Sequence, residues 1–398
     1  MRSVEEHQRV VADLIAARPA TTVSLADAEG LVLAADVVAG LSLPGFDNSA
    51  MDGYAVVADD VAGASADHPV KLPVAEDIPA GRTDTLTLAP GTAHRIMTGA
   101  PLPAGATAIV PVEDTDGRTD TVDIRASAKP GRHIRRAGED VTAGTTVLHA
   151  GQVVTPAALG LTAALGIAEL TVLPRQRVLV MSTGAELVAA GTPLRPGQIY
   201  ESNAVMLAAA VREAGGEVLA AVTTGDDIGE FRTALDLHAT DADLIITTGG
   251  VSAGAYEVVK DALGGQVDFV KVAMQPGMPQ GAGRVGGTPI VTLPGNPVSA
   301  LVSFEVFIRP VLRAAMGMPQ PHRLRREAVL VDACTSPPGK RQFRRGVLDP
   351  AAGTVTSYGP PASHHLRWLA SANALVEIPE DTTALPAGSV VDVWDLSG

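Results

Sequence analysis

The 398-residue chain contains a single cysteine, Cys334. One cysteine forms neither an intrachain disulfide nor a cysteine-rich zinc or iron–sulfur site. Cys334 itself reads as a small buried apolar residue rather than a catalytic thiol. Long hydrophobic runs are missing as well. The nearest, Ala157 to Leu170, is too short to span a bilayer and reads as a buried helix. The opening Met1-Arg-Ser-Val-Glu-Glu-His7 has no apolar signal core, so the expected location is the cytoplasm. Positive charge is in deficit: 30 Lys and Arg stand against 44 Asp and Glu, for a formal charge of −14. That balance argues against nonspecific binding to nucleic acid or anionic membrane. A small anionic ligand is compatible with it, given local basic residues, backbone N–H groups or a bound cation.

The length is too great for one compact core and suggests two to four domains. Residues 3–18 read as a helix with Val4, Val10, Val11, Leu14 and Ile15 near one face, ended by Arg18-Pro19. From about 41 to 150, short β-prone runs such as Tyr54–Val57 and Ala108–Val112 alternate with Gly/Pro turns. A helix over 156–166 follows, opened by Pro156. Between 177 and 316 the rhythm changes to apolar strands (177–181, 217–222, 243–247, 267–272, 289–293) alternating with helices (203–214, 229–238, 255–263, 297–316). This predicts a doubly wound α/β domain with a mostly parallel sheet. From about 322 the strands return, and a small β-barrel or sandwich fits.

Three strands of the α/β region run into glycine loops that lead towards helices: Met181-Ser-Thr-Gly-Ala-Glu-Leu187, Thr247-Thr-Gly-Gly-Val-Ser-Ala-Gly254 and Leu293-Pro-Gly-Asn-Pro-Val-Ser-Ala300. All lie at carboxyl ends of strands, where open α/β sheets bind ligands. Glycine lets the backbone approach a ligand, and N–H groups at a helix start bond phosphate oxygens. One such loop is only a tight turn; three in one domain point to an anion or nucleotide site. Gly281-Ala-Gly-Arg-Val-Gly286 also fits the dinucleotide pattern, but it follows no clear strand and opens no helix, so it reads as a hairpin turn.

Asp52, Asp140, Glu186 and Asp226 sit in turn-like segments rather than on amphipathic faces. Carboxylates so placed can hold a cation such as Mg²⁺ against phosphate oxygens. Glu186 and Asp226 also stand where helix caps belong, so cap and ligand are both open. A turn aspartate is the plain reading of Asp52. The basic candidates are Arg95, Arg135, Arg136, Lys260, Lys271 and the cluster Lys340-Arg-Gln-Phe-Arg-Arg345, whose alternation reads as a solvated strand face.

Phe46-Asp-Asn-Ser-Ala-Met-Asp-Gly-Tyr-Ala55 resembles the signature of the molybdopterin molybdenumtransferase family (MoeA, and the E domain of gephyrin). Further matches follow in order: Arg95–Pro103, Ile134–Asp140, Ser182–Leu187, Gly249–Ser252, Lys271–Pro279 and Leu293–Ala300. The likeness covers essentially the whole chain. It implies a four-part protomer: an elongated lobe (1–42 and 141–172), an inserted β-rich domain (43–140), a molybdopterin-binding α/β domain of MoaB/MogA type (173–318) and a C-terminal β-barrel-like domain (319–398). It also implies a homodimer whose active site lies between the α/β domain of one chain and the β lobe of the other. The implied reaction takes adenylylated molybdopterin and molybdate to molybdenum cofactor and AMP, with Mg²⁺ required. A molybdopterin adenylyltransferase is an implied partner.

The family's functional positions fall on Asp52, Thr98, Asp140, Glu186, Asp226, Lys271 and Ser363. The glycine loops add Ser182, Thr183, Gly184, Gly249, Gly250, Ser252, Pro294, Gly295 and Asn296 as substrate contacts. Glu186, Asp226 and Glu257 are the expected metal ligands. Two stretches depart from the pattern. Many relatives carry an Asp-Tyr-Asp-like stretch where this chain has Ala255-Tyr-Glu257, and lysines where it has Gln275 and Met278. Two other readings stand beside the transferase. One is an ATP-using adenylyltransferase, against which the β lobe and the Phe46–Ala55 motif argue. The other is a dimeric scaffold, against which Asp52, Thr98 and Asp140 argue.

Overall fold

The structure, a computed structural model, describes residues 1–250 and 258–397. Helix α1 (Val4–Leu14) opens with a reciprocal cap: Ser3 Oγ accepts from the Glu6 amide at 3.1 Å, and the Glu6 carboxylate accepts from the Ser3 amide at 2.8 Å. It ends earlier than the expected residue 18, and Ile15 is extended. Side chains from the α/β domain satisfy the carbonyls there, Arg284 donating to Leu14 O and Gln176 to Ala16 O. The buried stripe Val4, Val11 and Ile15 joins the α/β core, and His7 packs edge-on against Phe307 at 4.7 Å. The first helix therefore packs against the α/β layer.

The lobe is a three-stranded antiparallel sheet ordered Thr21–Ser24, Glu169–Leu173, Val32–Leu33, with helix α2 (Pro156–Ala164) beside it. Leu33, Val154, Ala158, Leu170 and Val172 form its small core. The inserted domain is a five-stranded sheet ordered Ala108–Pro111, Gly53–Val56, Ala93–Ile96, Val70–Ile78, Thr121–Ile124. Tyr54, Val56 and Val110 fill one face, and Ala55, Ile96 and Ile109 the other, as a period of two requires. Gly53 is packed so closely that a Cβ there would lie 2.1 Å from Val110 O.

The α/β domain has a six-stranded sheet ordered Glu217–Thr224, Arg177–Thr183, Leu244–Thr248, Thr288–Leu293, Pro279–Val285, Val267–Lys271. The first four strands are parallel; Pro279–Val285 runs against them, and Val267–Lys271, antiparallel to that strand, runs with the first four again. Val178, Val180, Leu244 and Ile246 face α1, α3 (Asn203–Glu213) and the carboxyl-terminal helices; Leu179, Met181 and Ile245 face α4 (Ile228–His238) and α5 (Val258–Leu263). Helices on both faces make it doubly wound. The helix expected over 297–316 is α6 (Pro297–Ser303), a π segment (Phe304–Ile308) and α7 (Arg309–Ala315).

The glycine pattern at 281–286 belongs to a strand the sequence reading missed, and the hairpin turn itself lies at Gly286-Gly287. Its glycines serve packing: a Cβ on Gly281 would lie 2.1 Å from Thr292 Oγ1, and one on Gly283 2.1 Å from Gln266 O. No helix follows, so it is not a nucleotide loop.

The C-terminal strands Arg341–Asp349, Thr354–Ser357, Arg325–Leu330, Val390–Asp395 and Ala374–Ile378 close into a barrel, the first pairing with the last. The solvated face expected for Lys340–Arg345 is corrected here. Gln342, Phe343 and Arg345 are only 2–3% exposed, because this strand is paired on both sides and its start also pairs with Met274-Gln275 of the α/β domain. The linker between the two domains is pinned by Arg323, buried, with two hydrogen bonds to Glu305 (2.9 and 3.0 Å). Among the described residues, no helix is long and apolar enough to cross a membrane.

Candidate functional site

A cleft of about 1360 Å³ opens at the carboxyl ends of the parallel strands, between the α/β domain and the barrel. The three glycine loops meet there. Ser182, Thr183, Gly184, Gly249, Gly250, Pro294, Gly295 and Asn296 all line it, as does Ser363 from the barrel. A second cavity of about 600 Å³ lies between α1 and α7. Ile15, Phe307 and Val311 make it apolar, and no glycine loop reaches it.

The first loop opens no helix, contrary to expectation. Gly184 donates to Thr224 O at 3.1 Å, and the chain continues into a short strand, Leu187–Val188, paired with Ile199–Tyr200. Gly184 leaves room for Glu186 to fold back, since a Cβ at 184 would lie 2.6 Å from Glu186 Oε2. Glu186 is therefore not a helix cap. Glu201 takes that part: its Oε1 accepts from the Ala204 amide at 2.6 Å and from Ser182 Oγ at 2.9 Å, at 8% exposure. Asp226 is not a cap either. Asp227 caps α4 through the Glu230 amide at 2.8 Å, while Asp226 accepts from the Ala185 amide at 3.2 Å and faces the cleft.

In the second loop Gly249 and Gly250 have φ of +92° and +63°, a region side chains rarely adopt. A Cβ on Gly249 would also lie 2.5 Å from Thr183 O. Ser252, Ala255 and Glu257 lie outside the described residues. The third loop touches the second, with the Cβ position of Gly295 3.4 Å from Gly249 Cα. Asn203 ties the loops together, donating to Gly295 O at 2.7 Å and Thr248 Oγ1 at 3.1 Å, while Thr248 donates to Pro294 O at 3.0 Å. On the barrel side, Ser363 Oγ accepts from Asn296 Nδ2 at 2.9 Å, and Ser363 O from the Val298 amide at 3.0 Å.

The remaining expected residues lie elsewhere in the protomer. Asp52, Thr98, Asp140 and Lys271 do not line this cleft. Thr98 donates its amide and its hydroxyl to Asp52 Oδ1, each at 2.7 Å. Those bonds, with a smaller contribution from Arg95, hold the exposed Asp52 carboxyl below its ordinary range. Nearby, Asp47 accepts from the Ala137 amide at 2.8 Å and pairs with Arg136 at 2.5 Å, which fixes the motif loop against residues 134–140. Lys271 is exposed at the carboxyl end of the edge strand Val267–Lys271 and outside the lining, whereas Gln275 and Met278 line the cleft. Lys340 is a lining cation that the sequence reading placed on a solvated face.

Among the described residues, no three His, Cys, Asp or Glu side chains gather as a metal site. Glu186 and Asp226 do share the cleft and offer oxygen ligands. Glu201, Asn203 and Thr248 were also missed. Glu201-Ser202-Asn203 before a helical run is a capping pattern that could have flagged the first two.

Compared with known proteins, the chain matches three consecutive regions. Residues 2–166 match the MoeA N-terminal region (domain I and II), 179–314 a probable molybdopterin binding domain, and 327–396 the MoeA C-terminal region (domain IV). It is 71% identical over 405 residues to molybdopterin molybdenumtransferase 2 of Mycobacterium tuberculosis, covering all of both chains. The chain belongs to the molybdopterin molybdenumtransferase family. Molybdopterin molybdenumtransferase 1 of the same organism is another relative in this family, at 40% identity over 99% of this chain and 98% of its own. The crystal structure of a molybdopterin biosynthesis MoeA protein from Pyrococcus horikoshii superposes with a TM-score of 0.82 at 28% identity, covering 100% of this chain and 99% of that one.

Proposed function

We propose that this protein inserts molybdenum from molybdate into adenylylated molybdopterin and releases AMP, as a step of molybdenum cofactor biosynthesis. The observation that carries the reading is the convergence of three glycine loops and two carboxylates, Glu186 and Asp226, on one cleft in a chain of this family. The loop amides and hydroxyls suit phosphate oxygens. Lys340 adds a cation on the barrel side, and Lys271, at the carboxyl end of the sheet's edge strand, is a second candidate outside the lining. Such a site binds an anion by local donors despite the net charge of the chain.

Glu186 and Asp226 would hold Mg²⁺, and Glu257 is a further candidate ligand. Two carboxylates fit an ion that keeps waters and substrate phosphate oxygens as its other ligands. Its chemistry there is neutralisation of phosphate charge. Asp52, kept ionised by Thr98, is an acceptor that orients the oxygen attacking the phosphoanhydride. Asp140 supports the same side.

Asp52, Thr98 and Asp140 are remote from the lining of their own cleft, and this supports a homodimer in which they complete the partner's cleft. We place the enzyme in the cytoplasm, receiving its substrate from a molybdopterin adenylyltransferase.

The test is to incubate purified protein with adenylylated molybdopterin, molybdate and Mg²⁺, then assay AMP and activation of a cofactor-free molybdoenzyme. Both are expected to appear. ATP consumption with unadenylylated molybdopterin would instead make the protein an adenylyltransferase, and binding without turnover would make it a scaffold.

A further inference from the structure

The strand pair that follows the first glycine loop presents apolar surface to the cleft. Ile199 is 55% and Tyr200 44% exposed, and both line the cleft together with Leu187. Tyr200 is the one Phe, Tyr or Trp among the described lining residues. Its hydroxyl donates to Thr192 O at 2.9 Å, which holds the ring in place without a ligand and leaves its apolar surface for one. Large apolar side chains left in water at a cleft wall mark a binding surface. The strand is also coupled to the carboxylate side of the site. On either side of Tyr200, the Ile199 amide donates to Glu186 O at 2.9 Å and the Glu201 amide to Val188 O at 2.8 Å. Asp226 accepts from the Ala185 amide of the same loop. The ring is therefore carried by the ribbon that carries Glu186.

We propose that Tyr200 is a specificity-determining residue whose ring stacks on a flat nitrogen heterocycle of the substrate. This rests on the transferase reading for the identity of the ligand. Both halves of adenylylated molybdopterin join a phosphate to such a heterocycle, adenine in one and the pterin in the other. With the phosphate held by the glycine loops and the carboxylates, a ring attached to it meets the wall built on the same ribbon. Stacking suits either ring, because it needs an aromatic face rather than a pattern of hydrogen bonds. Leu187 and Ile199 extend the apolar surface. Leucine at position 200 would keep apolar bulk but has no ring face, whereas phenylalanine keeps the face and loses only the bond to Thr192.

The test is calorimetric titration of the full chain with three probes in the presence of Mg²⁺: AMP, unadenylylated molybdopterin and ribose 5-phosphate. Tyr200→Leu is expected to weaken AMP or molybdopterin about tenfold, while ribose 5-phosphate, which has no heterocycle, stays within about twofold of wild type. Tyr200→Phe is expected to stay within about threefold of wild type for every probe. A loss for AMP identifies adenine as the stacked ring, and a loss for molybdopterin identifies the pterin. Upfield shifts of that ligand's ring protons should appear with wild type and Tyr200→Phe and vanish with Tyr200→Leu. Wild-type affinity of Tyr200→Leu for both AMP and molybdopterin overturns the proposal. So does an equal loss for ribose 5-phosphate, which would mean that the substitution had disturbed the ribbon carrying Glu186. If wild type binds AMP and molybdopterin but transfers no molybdenum, the functional reading fails and the stacking result stands. A wild type that binds neither overturns both.

Discussion

Thr98 directs two donors, its amide and its hydroxyl, at a single oxygen of Asp52, each at 2.7 Å. The pair joins two segments far apart in sequence and keeps an exposed carboxylate ionised and aimed. Thr98→Val removes the hydroxyl and leaves the amide. The Asp52 carboxyl is then expected to titrate higher, back towards its ordinary range, with activity falling at least about tenfold. A carbon-detected NMR titration of Asp52 checks this; an unmoved titration contradicts it.

Gly249 has φ +92° and no space for a Cβ beside Thr183 O. Gly249→Ala is expected to cost about 1–3 kcal/mol of stability. It should also separate the second loop from the third, so that affinity for adenylylated molybdopterin falls more than about tenfold. Isothermal calorimetry and denaturant unfolding measure the two effects. Wild-type affinity in this variant would mean that loop contact does not shape the site.

Most of the fold could be read from the sequence because its strands are apolar runs bounded by glycine and proline, as in Arg177–Thr183 and Leu244–Thr248. The strand Pro279–Val285 escaped, since the close approach of Thr292 and Gln266 demands glycines that erase its apolar period. The Lys340–Arg345 stretch misled for a different reason. Alternating charges look solvated, but Arg345 is buried against carbonyls that sequence does not bring near it. In the site, the glycine loops were legible one by one. Their fastening was not, because Asn203 reaches Gly295 across 92 positions. Asp52 stands out in the sequence only as a turn carboxylate, and Thr98 only through family resemblance.

His7 is fully buried against Phe307, and burial pushes its pKa down to about 4, with Arg2 adding to the effect. The unfolded chain then binds a proton that the native state refuses. Its contribution is complete above about pH 6.5, declines as pH falls from about 6.5 to 4, and reaches a loss on the order of 3 kcal/mol below that window. His7→Leu should flatten this part of the stability–pH curve, measured by urea unfolding at pH 7.5 and about pH 4.5. An identical slope in the variant would assign the acid sensitivity to other groups.

Arg323 anchors the interdomain linker to Glu305 inside the core. Arg323→Met leaves that carboxylate without its two hydrogen bonds and, among the described residues, with Arg309 at 3.7 Å as its remaining cation. A loss of roughly 3–5 kcal/mol in unfolding free energy is expected. A denaturation midpoint equal to wild type would show that the linker is held by other means.

In the proposed homodimer, Asp52 of one protomer would serve the cleft containing Glu186 of its partner. Asp52→Asn and Glu186→Gln, each expected to be inactive alone, should then complement each other when unfolded together and refolded as a mixture. Random pairing makes half the dimers mixed, each with one intact site of two, so transfer activity should return to about a quarter of wild type. A mixture that forms dimers and stays inactive would contradict the shared site.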